Sequence, residues 1–282
     1  SSTTYMYIYI YKHIYIYTLF LFGIVMTVLM TDAYAMLSVE ARQACEQNNL
    51  HDVLYADDTL ILGTVASHVQ ELARAIEIVG ANYGLQLHWG KTQALSVGTQ
   101  NRIRRPDGTI IDETGSLIYL GGLLVGDGRA DSELSRRIGL AHGDYQCLQR
   151  FWSHGNVSRH DKLVCLHAFV VSTLLYGLST MSLVKAQRRR IDGFYARCLR
   201  RILGIPHSFY SRVSNKVVYE RAGTIPLSQQ LAKQQLILLG TVARSAAGSP
   251  LRRNTFMGDS FQPSICHYIR RVGRPRTNWT ES

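Results

Sequence analysis

The spacing of hydrophobic residues changes along the chain and predicts two kinds of structure. From 19 to 36 the apolar residues have helical spacing and would be buried on most sides. Two short β-prone runs follow, 52–55 and 59–62, and they flank Ala-Asp-Asp, which indicates a β-hairpin. A helix is then predicted from a Ser67 cap to about residue 82. Strand-like pieces are predicted at 85–88, 94–97, 102–104, 109–111 and, interrupted by two glycines, 117–125.

Beyond residue 128 the apolar positions keep a 3.6-residue period, which is typical of helices. Helices are predicted over 131–152, 158–176, 185–203 and 226–244, the second with a capping-box-like start at Ser158. The third is strongly amphipathic, because an apolar stripe occupies one face and arginines crowd the rest. These arginines are Arg188, Arg189, Arg190, Arg197, Arg200 and Arg201, with Asp192 as the acidic residue among them.

These patterns predict an α+β fold in four parts. A low-complexity Tyr/Ile segment covers 1–18, and a unit of short antiparallel strands with packed helices covers 19–128. An all-helical region covers 129–245. From 246 to 282 Gly, Pro and Arg dominate and no period persists, so a loose, flexible basic tail is expected there.

The charge of the chain is distributed unevenly. The net charge is +11, yet residues 1–100 hold four basic and eight acidic residues, a net of −4. Residues 101–282 hold 27 basic and 12 acidic residues, a net of +15. A polycationic region of this size favours a polyanionic partner, with nucleic acid ahead of a membrane surface.

Two other features bear on location and on metal binding. Residues 14–30 form an uncharged apolar run of 17 residues, at the short limit for a membrane span. Buried helices contain similar runs, so a membrane segment is an alternative here. The five cysteines are scattered without a CxxC pair or a Cys/His cluster, which disfavours a zinc site or a disulfide framework.

The sequence Tyr55-Ala56-Asp57-Asp58 is the sharpest chemical feature. Two adjacent carboxylates on a tight turn repel each other unless a cation lies between them. Oxygen ligands on a rigid turn suit Mg²⁺, which takes one or two carboxylates and completes its shell with water and phosphate. The structural alternative is a solvated turn in which Asp forms the local backbone hydrogen bonds.

This hairpin and its surroundings resemble the reverse transcriptases of non-LTR (LINE-type) retrotransposons. Leu54–Thr59 resembles the catalytic palm hairpin of that family, and Tyr83–Thr92 resembles its next palm motif, with His88 where Asn is usual. Further segments resemble the primer grip (Tyr119–Gly122), the helices after the palm (Leu174–Gly177 and Arg200–Ile205) and the C-terminal linker (Gly273–Arg276 with Trp279). Phe20–Met26 resembles the helix after the template-contacting motif, so the resemblance covers about 19–282.

The resemblance implies a partial palm at 19–128 and a thumb-like helical region at 129–245. It also implies RNA-directed DNA polymerisation by two-metal nucleotidyl transfer, with an RNA template, a DNA primer and deoxynucleoside triphosphates as partners. Asp57 would be the main ligand of Mg²⁺ (or Mn²⁺), and Asp58 a second or supporting ligand.

Other residues receive substrate roles from the resemblance. Tyr55 would line the primer end, and Lys91 would approach the incoming triphosphate. Gly121 and Gly122 would let the backbone approach the primer strand. The structural alternatives are a half-buried strand aromatic for Tyr55, a solvated loop lysine for Lys91 and a β-bulge for the two glycines.

The arginines of 188–201 would lie on the phosphate backbone of a template–primer duplex. A solvated helix face is their structural alternative. The basic residues of 270–276 are compatible with an arm in a minor groove or with a disordered tail.

The same resemblance shows what this sequence lacks before the hairpin. The family has fingers and an earlier palm strand with the first metal-binding Asp, whereas here Asp32 is the only Asp before Asp52. We therefore expect an N-terminally truncated copy that is inactive alone. Two alternatives remain, a non-catalytic nucleic-acid-binding remnant and a membrane-anchored basic protein.

Overall fold

The structure is a computed structural model that describes residues 20–47, 49–56, 58–97, 102–105, 107–257 and 260–262. It is mixed α/β and mostly helical, with two small antiparallel sheets, which confirms the predicted mixture of helices and strands at this level. The chain divides into two compact units, residues 1–117 (unit 1) and 118–282 (unit 2).

In the described part of unit 1, helices precede and follow a β-hairpin along the sequence. Helix α1 covers 20–35 and α2 covers Val39–Glu46. Strand β1 (Leu50–Tyr55) pairs antiparallel with β2 (Asp58–Gly63), and α3 (Ala66–Asn82) follows. The hairpin predicted around Ala-Asp-Asp is therefore confirmed, with longer strands than the pattern indicated.

The core of unit 1 explains why these elements pack. Apolar side chains from all three helices and from β1 are buried together, among them Leu29, Leu37, Leu50, Leu72 and Val79. A polar contact joins two of the helices at their ends. The hydroxyl of Ser38 accepts from Ala41 N at 3.2 Å, which caps α2, and donates to Glu71 of α3 at 3.0 Å.

Helix α3 begins before its predicted cap. Its N-cap is Val65, whose extended backbone has φ −121° and whose side chain makes no cap hydrogen bond. Ser67 lies inside the first turn, so the prediction of a Ser67 cap is wrong. The reason is the length of β2, which reaches Gly63 and leaves two residues before the helix must start.

The strand-like pieces predicted between 85 and 111 do not form strands in the described residues. Two isolated bridges occur instead, Ala94 with Glu113 and Arg104 with Ile110. A turn at Gly108, whose φ of +85° favours glycine, brings the last pair together. Residues 98–101 and 106 lie outside the described residues, so the predicted turn at Pro106 is described only from Asp107 onward.

Unit 2 begins with the second hairpin and continues as helices. Strand β3 is Ser116–Tyr119, at the boundary between the units, and β4 is Gly122–Val125. The helices are α4 (Asp131–Cys147), α5 (Gln149–Ser153), α6 (Arg159–Cys165), α7 (Ser172–Leu175), α8 (Lys185–Leu203), α9 (Ser208–Ser211), α10 (Asn215–Ala222), α11 (Leu227–Arg244) and α12 (Pro250–Thr255). The predicted bounds of 185–203 are confirmed.

Two of the predicted long helices are interrupted. Residues 131–152 form α4 and α5, separated at Leu148. Residues 158–176 start as predicted, since the Ser158 hydroxyl accepts from Asp161 N at 3.1 Å. A π-helical turn, Leu166–Val171, then joins α6 to α7.

One large apolar core holds the helices of unit 2 together. It is centred on α8, whose Ile191, Phe194, Tyr195 and Leu199 are buried against α4, α6, α10 and α11. The stripe predicted from the 3.6-residue period therefore faces the core. Helix α8 ends at Gly204, whose φ of +67° closes the last turn and lets Ile205 N donate to Arg200 O at 2.8 Å.

The predicted tail and membrane segment are only partly within the described residues. Inside 246–282, Pro250–Thr255 forms a short helix, and residues from 263 onward lie outside the described part. Residues 14–19 of the apolar run 14–30 also lie outside it. In the part that is described, no helix combines the length and the apolar character needed to cross a bilayer.

Candidate nucleic-acid interface

The Tyr-Ala-Asp-Asp turn is a two-residue connection between β1 and β2. Tyr55 is opposite Asp58 in the register, so only Ala56 and Asp57 link the strands. This tight loop places Ala56 at φ +52°, in the left-handed region that residues with a Cβ adopt rarely. Asp57 itself lies outside the described residues.

The described neighbours of Asp57 are open to solvent. Asp58 is exposed at the first position of β2, and Tyr55 has 62% of its surface exposed at the end of β1. Asp58 supplies carboxylate oxygens, the ligand type that Mg²⁺ prefers. No group of three potential ligands from His, Cys, Asp and Glu occurs within the described ranges.

A second carboxylate in the hairpin, Asp52, is used structurally. The hydroxyl of Tyr34 in α1 donates to Asp52 Oδ1 in β1. Burial and this hydrogen bond raise the pKa of Tyr34 above its ordinary value, so Tyr34 stays protonated. The pair ties β1 to α1.

The other predicted substrate residues are divided between the two units. Lys91 is exposed in a loop of unit 1, where its N–H donates to His88 O at 2.9 Å. Gly121, with φ +74°, lies in the turn of the β3–β4 hairpin in unit 2, followed by Gly122 at the start of β4. A positive φ at Leu120 as well makes this a second tight turn.

The β3–β4 turn is anchored to α4 by two arginines. The carbonyl of Gly121 accepts from Arg136 Nη2 at 2.6 Å and from Arg137 Nη2. Glu133, only 1% exposed, holds both guanidiniums through bonds of 2.6 Å. Burial acts to raise the pKa of Glu133, but hydrogen bonds from the two arginines outweigh it and lower the pKa. Sequence reasoning did not identify this cluster.

The six arginines of α8 do not share one role. Arg189, Arg197 and Arg201 are exposed, as is Arg190, which donates to the Ser135 hydroxyl at 3.0 Å. Arg188 is half-buried and donates to Leu183 O at 3.1 Å. No arginine of α8 forms an ion pair with a carboxylate in the part of the chain that the structure describes.

Arg200 differs from the prediction that it lies on a phosphate backbone. It is 5% exposed, and its guanidinium donates to four acceptors in 206–215. These are Pro206 O at 3.1 Å, Ser211 Oγ at 3.4 Å, Val213 O at 2.6 Å and Asn215 Oδ1 at 3.0 Å. With these donors engaged, Arg200 organises the loop after α8, and the prediction of a backbone-phosphate contact is wrong for this residue.

Asp192, the acidic residue of α8, does not neutralise the arginines. Its carboxylate accepts from Ser228 N at 2.8 Å and from Ser228 Oγ at 2.7 Å, in the first turn of α11. A carboxylate at a helix start satisfies free N–H groups and complements the helix dipole. Asp192 is therefore not ion-paired with the arginines of α8 in the described part of the chain.

A cleft of about 500 Å³ lies beside α8 within unit 2. We call it the arginine cleft; its polar lining is Arg190, Arg197, Arg200, His207, Ser208 and Asn215. No acidic residue belongs to its lining among the described residues. An open cleft with several guanidiniums and hydrogen-bond donors has the chemistry that binds phosphate groups.

A smaller basic pocket in unit 1 was also missed from the sequence. It has a volume of about 170 Å³ and is lined by Gln70 and Arg74 of α3 together with Trp89, Arg104 and Arg105. Arg74 lies 30 residues before Arg104 in the sequence, and α3 meets the later loop where Arg104 N donates to Gln70 Oε1 at 3.2 Å. Only folding brings these charges together.

Comparison of the chain with protein-family models, with curated proteins and with solved structures gives no match in any of the three. The evidence on function therefore comes from the arginine cleft and the two tight hairpin turns.

Proposed function

We propose that this chain is the C-terminal palm and thumb-like part of an RNA-directed DNA polymerase of the non-LTR (LINE-type) retrotransposon kind. On this proposal, unit 2 binds a nucleic-acid duplex of RNA template and DNA primer along α8. The observation that carries the binding part is the arginine cleft, where Arg190 and Arg197 are exposed and have no carboxylate partner among the described residues.

Electrostatics supports nucleic acid as the partner. Residues 101–282 carry a net charge of +15, and the internal carboxylate of α8 is engaged by α11. Exposed guanidiniums without counter-charges attract a polyanion and bind phosphate oxygens, which fixes position without reading sequence. A helix face that is merely solvated could have its arginines paired with carboxylates. The described part of α8 shows no such ion pair, which favours nucleic-acid binding.

The binding proposal is tested by the salt dependence of affinity. We expect the wild-type chain to bind a labelled RNA–DNA duplex, with an affinity that falls steeply as salt is raised. Arg190→Ala and Arg197→Ala should each weaken binding and reduce the slope of log affinity against log salt by about 1. Lys233→Ala, an exposed cation of α11 outside the cleft lining, is the matched control. Equal effects of all three would contradict the proposal.

Nucleotidyl transfer is the second part of the proposal and rests on the resemblance of the Tyr-Ala-Asp-Asp hairpin. Asp57 and Asp58 are the residues that would hold Mg²⁺ or Mn²⁺, and a bound metal would stabilise the attacking and leaving oxygens of phosphoryl transfer. The two-residue turn at Ala56 supports it, because it holds Asp58 exposed at the hairpin end.

Primer extension with wild type and Asp57→Asn tests the catalytic part. Synthesis by the wild type that is lost in the variant would support it, and equal synthesis by both would contradict it. Binding of the duplex by Asp57→Asn should be unchanged or slightly tighter, because the substitution removes one negative charge near a polyanion.

A further inference from the structure

Two adjacent aromatic side chains stand exposed beside the arginine cleft. Phe209 and Tyr210 in α9 have 66% and 78% of their surfaces exposed. Their rings are 5.3 Å apart between centroids and nearly perpendicular, at 88°. Single exposed apolar residues are ordinary, but two large rings next to each other on a four-residue helix form a projecting aromatic surface.

The chain segment that carries these rings is held in place. Arg200 donates to Pro206 O and Val213 O, on either side of the pair, at 3.1 and 2.6 Å. At the start of α9, His207 Nδ1 accepts from Phe209 N at 3.3 Å. The rings are thus presented by a backbone that is tied to α8, and little conformational entropy remains to be lost when a ligand contacts them.

Positive charge surrounds the pair. His207 and Ser208, which directly precede Phe209, line the arginine cleft together with Arg197. On the other side, the guanidinium of Arg212 is 5.6 Å from the centroid of the Phe209 ring. An aromatic surface near both the arginine cleft and Arg212 matches a ligand that alternates flat rings with phosphates.

We propose that Phe209 and Tyr210 stack on unpaired bases of a nucleic-acid strand whose phosphates lie in the arginine cleft. The pair would bind single-stranded RNA or DNA next to a duplex, for instance an overhang. This inference rests on the proposed nucleic-acid binding and adds a preference for unpaired bases. An apolar protein segment is the competing occupant, and the surrounding cations argue against it because they would stay unpaired.

The test compares single strands, overhangs and blunt duplexes on the full chain. F209L/Y210L removes both rings and keeps apolar side chains in their place. We expect it to weaken binding of a labelled single strand by at least about fivefold, because base–aromatic stacking contributes that much per base. Binding of a blunt duplex should change by less than about twofold, since its bases are already stacked.

A second measurement reports stacking directly. A single strand that carries the fluorescent base 2-aminopurine should be quenched when it binds the wild type, and quenched less when it is bound to saturation by F209L/Y210L. Phe169→Leu is the matched control, because Phe169 is also exposed in unit 2, at 57%, and does not line the cleft. RNA and DNA strands are both measured to identify which one the pair prefers.

The outcomes separate this inference from the function on which it rests. If F209L/Y210L binds single strands as tightly as the wild type while Arg190→Ala and Arg197→Ala weaken binding, stacking is overturned and nucleic-acid binding stands. Equal losses for single strands and blunt duplexes would also overturn it. If neither the arginine variants nor the aromatic variant changes affinity, both proposals fail.

Discussion

The guanidinium of Arg200 in α8 donates to the carbonyl oxygen of Val213, 13 residues later, at 2.6 Å. This side chain is buried and also reaches Pro206 O and Asn215 Oδ1. It gives partners to acceptors along 206–215, where Pro206 O also accepts from Ser211 Oγ at 3.1 Å and Val213 O accepts from Arg200. Arg200 is therefore structural, whereas four other arginines of the same helix are exposed: Arg189, Arg190, Arg197 and Arg201.

Replacing Arg200 should destabilise unit 2. Arg200→Met keeps much of the apolar stem but removes every donor, so that the half-buried Val213 loses the donor to its carbonyl oxygen. We expect the free energy of unfolding to fall by about 1–3 kcal/mol. Urea denaturation followed by circular dichroism measures this. Arg201→Met, at the exposed neighbour, should change it by less than about 0.5 kcal/mol; similar losses in both variants would contradict the assignment.

Glu133 should matter more than any other described acidic side chain of unit 2. Glu133→Ala leaves the buried Arg137, and Arg136 beside it, without their shared carboxylate. We expect a loss of about 3–5 kcal/mol in unfolding free energy, because an uncompensated buried charge remains. Glu220→Ala, at an exposed position of α10, is the control in the same urea measurement. A loss of the size seen in that control would show that the cluster is dispensable.

The stability of unit 2 should depend on pH through His167. Burial lowers the pKa of His167 below its ordinary value of 6.5, and its Nε2 is 2.7 Å from the Tyr195 hydroxyl. Below pH 6.5 the unfolded chain therefore binds a proton that the folded chain does not, so stability falls as the pH is lowered through this window. Above pH 6.5 this contribution is absent.

Thermal unfolding at a series of pH values checks the His167 prediction. His167→Gln, which stays neutral, should flatten the pH dependence just below pH 6.5. His142→Gln, at an exposed position of α4, should leave the profile unchanged. A profile of His167→Gln that superimposes on that of the wild type would refute the prediction.

The cysteines of unit 2 should differ in reactivity. Burial raises the pKa of Cys198, which faces the core from α8, to about 12, whereas Cys147 is exposed at the end of α4. Iodoacetamide should therefore modify Cys147 in the native protein and reach Cys198 only after unfolding. Peptide mass mapping of each site against time measures this. Equal native-state rates at both sites would contradict the packing of Cys198.

Much of the fold could be predicted from local patterns. The bounds of α8 follow from a clear 3.6-residue period and from Gly204, which ends the helix. The first hairpin follows from two β-prone runs around a polar turn. In contrast, the Ser67 cap was wrong because the end of β2, set by strand pairing, determines where α3 begins.

The candidate site was less predictable, for a physical reason. Arg200 and Arg201 are adjacent in the sequence and chemically identical. The Arg200 side chain is buried because it donates to acceptors in 206–215. Those acceptors lie in α9, at the start of α10 and in the loops beside them, and no period in the sequence specifies the path of those loops. The exposed pair at Phe209 has a sequence signal, two aromatic residues after a proline outside any amphipathic pattern, but its meaning depends on the neighbouring cleft.

The contact between Asp192 and Ser228 has a thermodynamic consequence for binding. Asp192 is directed to Ser228, and no arginine of α8 is ion-paired within the described residues, so small anions from solution accumulate around these arginines. Any polyanion that replaces them returns ions to the bulk solvent, on the protein side as on the nucleic-acid side. Association should therefore be driven largely by the entropy of released ions, and calorimetry should record a favourable entropy that shrinks as the concentration of free salt rises.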